Sequence, residues 1–241
     1  FRVMEHHVEW AAREGAAAVV ISSPANPTGA VSPQAAFERA ADLGLLLVAD
    51  EIYRGITYGR TTRWSAAELL HRPNVVVVDG FSKRYAMTGL RVGWAVLPDE
   101  LVRPVNRLAQ NLFISVNSVS QAGALAALRH GAPYAKAMLE ELERRRNLLV
   151  SGLRSLGFGV GQGPEGAFYV YADVSELSDD STAFCMSMLQ QAGVAATPGA
   201  DFGVNRTSRY VRFAFTTSMQ NIEQGLERIE AWLKDEKGRT A

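Results

Sequence analysis

The sequence predicts an α/β fold in its first half and a smaller α+β part after it. As far as about residue 130, short apolar runs rich in β-branched residues alternate with helical stretches, and several of these runs close on polar side chains. After the break at Gly131-Ala132-Pro133, strand-like pieces and helices alternate in the pattern of helices packed on a small sheet. We therefore predict two domains, at 1–132 and 133–241, with a long connecting helix opening the second.

The composition is typical of a soluble globular chain and excludes two partner classes. The 241 residues are 47% hydrophobic and carry 25 basic and 25 acidic side chains, so the net charge is zero. This balance gives no electrostatic footprint for nucleic acid or an anionic membrane surface, and no apolar run approaches the roughly 20 residues of a membrane span. Cys185 is the only cysteine, which excludes an intrachain disulfide and predicts the reducing cytoplasm.

In the first half, apolar spacing and punctuation residues predict the elements. The first helix, over 1–13, has Val3, Val8 and Trp10 among its inward positions. His6 and His7 are adjacent and do not share a helix face, so we predict no metal site there. The predicted strands are 16–22, 45–49, 75–79 and 92–97. The other predicted helices are one from the N-cap Ser32 to about Gly44, a short one at 65–71, and one at 99–130 interrupted near 113–117.

The second half begins with a long helix, over 134–156, that Gly157 ends. Its charged outer face is typical of a solvated surface with pairs four residues apart. The predicted strands that follow are 158–160, 167–172, 194–197 and 210–215, and the predicted helices are 182–192 and 219–233.

The strand at 75–79 organises the whole sequence, because an amine and a guanidinium follow it. It delivers Ser82 and Lys83 to its carboxyl end, where open α/β sheets bind ligands. A lysine whose pKa falls readily suits a Schiff base with an aldehyde cofactor. The planar guanidinium of Arg91 suits a phosphate or a carboxylate. Taken alone, this spacing still favours a solvated Lys83 and a locally paired Arg91.

Four further side chains stand out by position. Asn26 lies in a stiff Pro-x-Asn-Pro turn after the first strand, Asp50 closes the second strand, and Tyr53 follows it. In isolation these patterns also fit ordinary turn chemistry and a helix N-cap. Arg212 lies inside a predicted strand, where a guanidinium needs an anionic partner.

Taken together, these segments resemble one known family. Ser-Lys-x-Tyr-Ala-Met-Thr-Gly-x-Arg-x-Gly-Trp, from Ser82 to Trp94, resembles the pyridoxal-phosphate lysine segment of class I/II aminotransferases of fold type I. Ser-Pro-x-Asn-Pro-Thr-Gly around Asn26 and Asp-Glu-x-Tyr from Asp50 match the same family. Gly-Ala-Phe-Tyr and Thr-Pro-Gly-x-x-Phe-Gly in the second half resemble turns of its small domain. The resemblance covers essentially the whole chain and implies the fold-type-I large-domain sheet, truncated, followed by a smaller α+β domain.

The resemblance also implies a cofactor, pyridoxal 5'-phosphate, and its ligands. Lys83 forms the Schiff base with the aldehyde, and Asp50 keeps the ring nitrogen protonated, which makes the ring a better electron sink. Tyr53 and Asn26 bond the phenolic oxygen. Arg91 holds the phosphate, and Ser82 supplies the hydroxyl for it, because the position that carries this hydroxyl in many relatives is a glycine here.

The implied reaction moves an amino group between an amino acid and a 2-oxo acid. Arg212 binds the α-carboxylate of the substrate, Asn26 contributes to the same site, and Lys83 moves the proton from Cα as general base and acid. The resemblance further implies a homodimer. A β- or γ-eliminating lyase on the same scaffold and a non-catalytic remnant stay open as alternatives.

The resemblance does not include the beginning of the family's fold. The family carries a glycine- and serine-rich phosphate loop and a ring-stacking aromatic before the asparagine turn, but only 25 residues precede Asn26. We therefore expect this chain to be about the C-terminal three-fifths of a family member, without its N-terminal part.

Overall fold

The structure is a computed structural model that describes residues 1–59, 61 and 64–240, with side chains as far as residue 235. The chain divides into two compact units. The first unit comprises Phe1–Ala25, Ala30–Leu139 and Glu165–Ala167, and the second comprises Asn26–Gly29, Glu140–Pro164 and the chain from Phe168 onward. The predicted domain assignment, with its boundary near residue 132, stays a prediction.

A four-stranded sheet forms the centre of the first unit. Its strands, in spatial order, are β1 (Ala18–Ser22), β2 (Leu46–Asp50), β3 (Val75–Gly80) and β4 (Gly93–Val96). The first three strands are parallel, and β4 runs antiparallel to β3. Apolar side chains of the first three strands lie in the core of this unit, which accounts for the apolar runs in the sequence. The α/β prediction is confirmed.

Along the chain, helices precede, separate and follow the strands of this sheet. They are α1 (Glu5–Arg13), α2 (Gln34–Asp42), α3 (Asp99–Leu112), α4 (Ser118–His130) and the start of α5 (Ala132–Ser155), with 3-10 turns at Ala66–Leu69 and Thr88–Leu90. Val8 of α1 and Phe37 of α2 join the core formed by the sheet. The predicted interruption near 113–117 is confirmed, because α3 ends and α4 begins on either side of it.

Two details of the predicted helices are wrong. Trp10 is 59% exposed, because Val8 faces the core and a residue two positions further lies on the far side of a helix. Ser32 is not the N-cap of α2: the helix begins at Gln34 with Pro33 as N-cap. The Ser32 hydroxyl instead accepts a hydrogen bond from the backbone N–H of Val3, at 3.1 Å, and holds the start of the chain.

The second unit contains a small antiparallel sheet and three helical segments. The sheet has the order β5 (Tyr169–Asp173), β7 (Tyr210–Ala214), β6 (Thr197–Pro198). The helical segments are the later part of α5, α6 (Ser181–Ser187), which continues as a π-helical turn at Met188–Ala192, and α7 (Met219–Thr240). The predicted α+β layer is confirmed.

Two predicted strands of this unit are wrong in extent. The stretch 158–160 makes a single bridge from Gly159 to Asp173, since the glycines around it weaken a strand. The stretch 194–197 shrinks to the two residues of β6, whose Pro198 has no N–H to donate. None of the helices in the described part of the chain combines the length and the apolar character that crossing a membrane demands.

A pair of glycine substitutions tests the packing of the second unit. A methyl group on Gly199, the first residue of a 3-10 turn, would lie 2.6 Å from the carbonyl oxygen of Tyr210 and also against that of Thr207. We expect Gly199→Ala to destabilise the protein by about 1–3 kcal/mol, because these are backbone atoms that move only with the sheet.

The matched control is Gly225→Ala on α7, where nothing lies within 4 Å of the added methyl group. It is expected to stabilise the protein by about 0.5–1 kcal/mol, since alanine is the better helix former. Urea unfolding midpoints measure both. Equal midpoints for the two variants would contradict this description of the turn at Gly199.

Candidate active site

The carboxyl ends of β1 and β2 bring a hydroxyl beside a carboxylate. Ser22 and Asp50 are register partners at the ends of these parallel strands. The Ser22 hydroxyl donates to Asp50 Oδ2 at 3.4 Å, and the backbone N–H of Ile52 donates to Asp50 Oδ1 at 3.1 Å. Among the described residues no basic side chain forms an ion pair with Asp50. A half-buried carboxylate at a strand end is therefore available to a cationic ligand.

The predicted lysine lies beside the predicted tyrosine. Tyr53 follows β2 and Lys83 follows β3, and because these strands are parallel neighbours their carboxyl ends meet at the same edge of the sheet. The Tyr53 side chain is buried. Lys83 Nζ lies 5.7 Å from the centre of the Tyr53 ring. The structure therefore places these two side chains next to each other, and their roles toward a cofactor stay predictions.

The loop that carries Lys83, residues 81–92, has a fixed backbone. The N–H of Phe81 donates to the carbonyl of Val92 at 3.2 Å, which closes the loop where β3 ends. Ala86 and Arg91 both have left-handed backbones, with φ of 52° and 49°. Such conformations are uncommon outside glycine and cluster at functional sites.

The two predicted phosphate ligands lie in this same loop. Ser82 is half-buried and directly precedes the lysine. Arg91 is exposed, and its Nη1 donates to the carbonyl of Thr88 at 3.0 Å. The structure thus shows Arg91 bonded within the loop, and its phosphate role stays a prediction.

The remaining two predicted residues form a cluster of their own in the second unit. Arg212 Nη1 donates to Asn26 Oδ1 at 2.8 Å, although 186 positions separate the two residues in the sequence. Arg212 Nη2 donates to Thr197 Oγ1 at 3.1 Å. Thr197 is the cross-strand partner of Arg212 in the β6–β7 register, which explains the second contact.

Two aromatic rings lie against the guanidinium. Arg212 Cζ lies 4.4 Å from the ring centre of Tyr169 and 4.9 Å from that of Phe202. Tyr169 lies two positions from Tyr171, the β5 partner of Arg212, so it reaches the guanidinium diagonally across the strands. Cation–π contacts of this kind fix the plane of an arginine without neutralising its charge.

Arg212 has no carboxylate partner among the described residues. Among these residues, both of its hydrogen-bond acceptors are neutral oxygens, and its buried Nε–H has no hydrogen-bond partner. A buried unpaired donor is costly, and this guanidinium keeps its positive charge without an anionic partner among the described residues. Sequence analysis missed Thr197, Tyr169 and Phe202 as its surroundings. The sequence did contain a signal for them, because all three lie in the two segments that resemble turns of the family's small domain.

Comparison with known proteins places these residues in context. The family model "Aminotransferase class I and II" matches residues 3–229. The chain belongs to this family. It is 42% identical over 220 residues to a valine–pyruvate aminotransferase of Mycobacterium tuberculosis, covering 89% of this chain and 56% of that protein. It is 31% identical to an aspartate aminotransferase of Bacillus subtilis, covering 97% of this chain and 62% of that protein.

Solved aminotransferase structures have the same fold as this chain. The structure of an aromatic aminotransferase from Pyrococcus horikoshii superposes with a TM-score of 0.91 at 30% identity, covering 98% of this chain and 65% of that one. The fold-type-I prediction is confirmed. The chain spans about three-fifths of the length of these aminotransferases, in agreement with the expected fragment.

The residues at the sheet edge fit the cofactor on which class I and II aminotransferases depend, pyridoxal phosphate. Its aldehyde, phenolic oxygen, ring nitrogen and phosphate require an amine, a hydrogen-bonding group, a carboxylate and a cation. The first unit offers Lys83, Tyr53, Arg91 and the carboxylate of Asp50, which no basic side chain of the described residues neutralises. Each of these four cofactor groups therefore has a chemically matching side chain in the first unit.

Proposed function

We propose that this chain carries the lysine and substrate-arginine half of an aminotransferase that moves an amino group between an amino acid and a 2-oxo acid. One observation carries the proposal: Lys83 Nζ lies beside the Tyr53 ring, at the end of the strand next to the one that ends in Asp50. A pyridoxal-type ring requires an amine, a phenol and a carboxylate. The carboxylate here, that of Asp50, has no basic partner among the residues that the structure describes.

Each cofactor-binding side chain has a distinct role in this proposal. Lys83 Nζ holds the cofactor covalently. The carboxylate of Asp50 accepts a hydrogen bond from the protonated ring nitrogen and forms an ion pair with it. Tyr53 and Asn26 donate to the phenolic oxygen. Arg91 and Ser82 bind the phosphate.

Lys83 also moves the proton of the reaction. When bound, pyridoxal phosphate supplies the aldehyde that accepts the amino group and the ring that takes up the electron pair of the broken Cα–H bond. With its amine free, Lys83 Nζ would take the proton from Cα and later return it. A lysine on a hydrogen-bonded loop suits this role, because the loop fixes where the amine acts.

Arg212 orients the substrate. Its guanidinium, which lies against two rings, binds the α-carboxylate with two parallel hydrogen bonds, and Asn26 lies at hydrogen-bond distance from the same guanidinium. Fixing the carboxylate limits the orientations that the bound substrate can adopt.

Asp50→Asn tests the ring-nitrogen contact. The amide removes the negative charge while keeping the shape, so the turnover of amino acid is expected to fall by about 10²-fold or more. Stopped-flow measurement of the half-reaction with one amino acid gives this rate. Asp42→Asn is the matched control, since Asp42 pairs with Arg72 on the surface and its loss is expected to leave the rate unchanged. Equal rates in both variants would remove Asp50 from the cofactor site.

Product analysis tests the reaction type. Incubation with an amino acid and a 2-oxo acid is expected to yield the corresponding second 2-oxo acid with the nitrogen retained in a new amino acid. Release of ammonia would instead support the eliminating lyase. The same assay on the 241-residue chain and on a chain of the relatives' full length separates an active site that is complete here from one that needs the rest of the fold.

We further propose that the whole protein is a cytoplasmic homodimer. The homodimer is typical of the family, and exposed apolar side chains on the first unit, including Leu108, Leu112, Phe113, Ile114 and Leu128, support an interface. Cys185 is a buried free thiol, which is consistent with a reducing compartment. Sedimentation velocity measures the oligomeric state.

A further inference from the structure

The first turn of α4 packs against the loop that carries Lys83, residues 81–92. Ser120 is only 1% exposed, and its hydroxyl donates a hydrogen bond to the backbone carbonyl of Leu90. The side chain of Asn117 caps the same turn, because it accepts a hydrogen bond from the backbone N–H of Ser120 at 2.8 Å. A buried hydroxyl on a capped helix start is therefore bonded to the loop, 30 positions away in the sequence.

The same face of α4 lies close to other side chains of the loop. A methyl group added at Gly123 would come within 3.1 Å of Leu90 Cδ1 and 3.4 Å of Met87 Cε. One added at Gly131, directly after the helix, would come within 2.8 Å of a ring atom of Tyr85. Positions three and eleven residues apart lie on the same side of a helix, so these contacts extend the contact made at position 120. This face of α4 therefore supports the loop along its length.

The hydrogen bond from Ser120 acts on the peptide unit that precedes Arg91. The Leu90 carbonyl and the Arg91 N–H belong to one planar group, so fixing the carbonyl fixes where the backbone of Arg91 begins. Arg91 has a left-handed backbone, with φ of 49° and ψ of 52°. Such a conformation is unfavourable for a residue with a side chain and persists where the surrounding structure holds it. The Ser120 hydroxyl supplies such a hold from outside the loop.

We propose that Ser120 is a positioning residue for Arg91 and, through it, for the phosphate of the cofactor. This inference rests on the proposed function, in which Arg91 binds that phosphate. The Arg91 guanidinium donates to the carbonyl of Thr88 in the same loop, at 3.0 Å, so it follows the position of the loop backbone. Guanidinium groups bind phosphate through a rigid pair of N–H donors, and a change in their direction loses one of the two bonds.

The affinity for the cofactor with and without its phosphate tests the proposal. Pyridoxal has the ring and the aldehyde of pyridoxal phosphate but a hydroxyl in place of the phosphate group. Titrations followed by visible absorption give the dissociation constant of each compound for each variant. Ser120→Ala is expected to weaken the binding of pyridoxal phosphate about tenfold and to leave the binding of pyridoxal unchanged, because only the phosphate contacts depend on Arg91.

Ser155→Ala is the matched control. The Ser155 hydroxyl also donates to a backbone carbonyl, that of Gly152 at 2.8 Å, but within α5. Both affinities are expected to stay at the parent values in this variant. A parent protein that binds the two compounds equally, or binds neither, would contradict the proposed function and this inference with it. A parent protein that prefers the phosphate compound, with the same preference in Ser120→Ala, would overturn this inference alone.

Hydrogen–deuterium exchange of the cofactor-free protein gives a second readout, which does not depend on the proposed function. Ser120→Ala is expected to raise the exchange rates of the amides in residues 81–92 about threefold or more, whereas peptides from β2 keep their parent rates. Faster exchange throughout the chain would show a general loss of stability in place of a local role. Either that result or unchanged exchange in the loop would overturn the proposal.

Discussion

Lys83→Ala is expected to abolish covalent attachment of pyridoxal phosphate and to lower the transamination rate by about 10³-fold. The reason is that one amine serves twice, as the group that holds the cofactor and as the base that moves the Cα proton. Alanine leaves the neighbouring Tyr53, 5.7 Å from Nζ in the parent protein, without the cation that faces its ring. Visible absorption of the protein after removal of excess cofactor measures attachment, and the half-reaction rate measures the chemistry.

Lys234→Ala is the matched control for this prediction. Lys234 lies on α7, exposed to solvent, and its ammonium pairs with Glu230 one turn away at 2.7 Å. Lys234→Ala also removes a lysine side chain, but from an exposed position on a helix, so cofactor attachment and the half-reaction rate are expected to stay at the parent values. If Lys83→Ala kept the cofactor absorption and the rate of this control, the assignment of Lys83 would be wrong.

Arg212→Lys is expected to raise the KM for the amino acid by about 10²-fold while leaving the absorption of the bound cofactor unchanged. Lysine keeps the positive charge but has no planar pair of N–H donors, so it forms neither the bidentate bond to a carboxylate nor the bonds to Asn26 and Thr197 together. A ring-stacked guanidinium is also lost. Steady-state kinetics with one amino acid and a saturating 2-oxo acid give the KM.

Arg209→Lys is the control variant, because Arg209 also lies beside β7 but already has an anionic partner in Asp173, at 2.7 Å. Its substitution is expected to change KM little, although it weakens a partly exposed ion pair. An equal rise of KM in both variants would show a general effect on the small sheet. An unchanged KM in Arg212→Lys alone would exclude Arg212 from carboxylate binding.

The sequence was most informative about the reactive side chains that follow the ends of strands. Apolar runs located β2 and β3, and the rule that parallel strands present their carboxyl ends at one edge explains why Tyr53 lies near Lys83 in the structure. Both facts depend on local pattern and on strand direction, which a sequence expresses directly. The roles of these side chains toward the cofactor came from the resemblance and stay predictions.

The sequence was least informative where contacts join distant or competing groups. The bond from Arg212 to Asn26 spans 186 positions, and nothing local to either residue specifies it. The contact between Thr197 and Arg212 depends on the register of a two-residue strand, which is too short to show a pattern in the sequence. Ser32 is not the N-cap that the sequence predicted, and its hydroxyl instead accepts a hydrogen bond from the backbone N–H of Val3. In each case tertiary structure decides between several local options.

The central claim is that Lys83 is the residue that holds the cofactor, and chemical trapping tests it most directly. The protein is mixed with pyridoxal phosphate, reduced with borohydride and digested, and the modified peptides are identified by mass spectrometry. The sequence has three other lysines, Lys136, Lys234 and Lys237, which serve as internal references. We predict that the stoichiometric label lies on Lys83. A folded protein labelled equally on the other lysines, or labelled elsewhere and not on Lys83, would contradict the account.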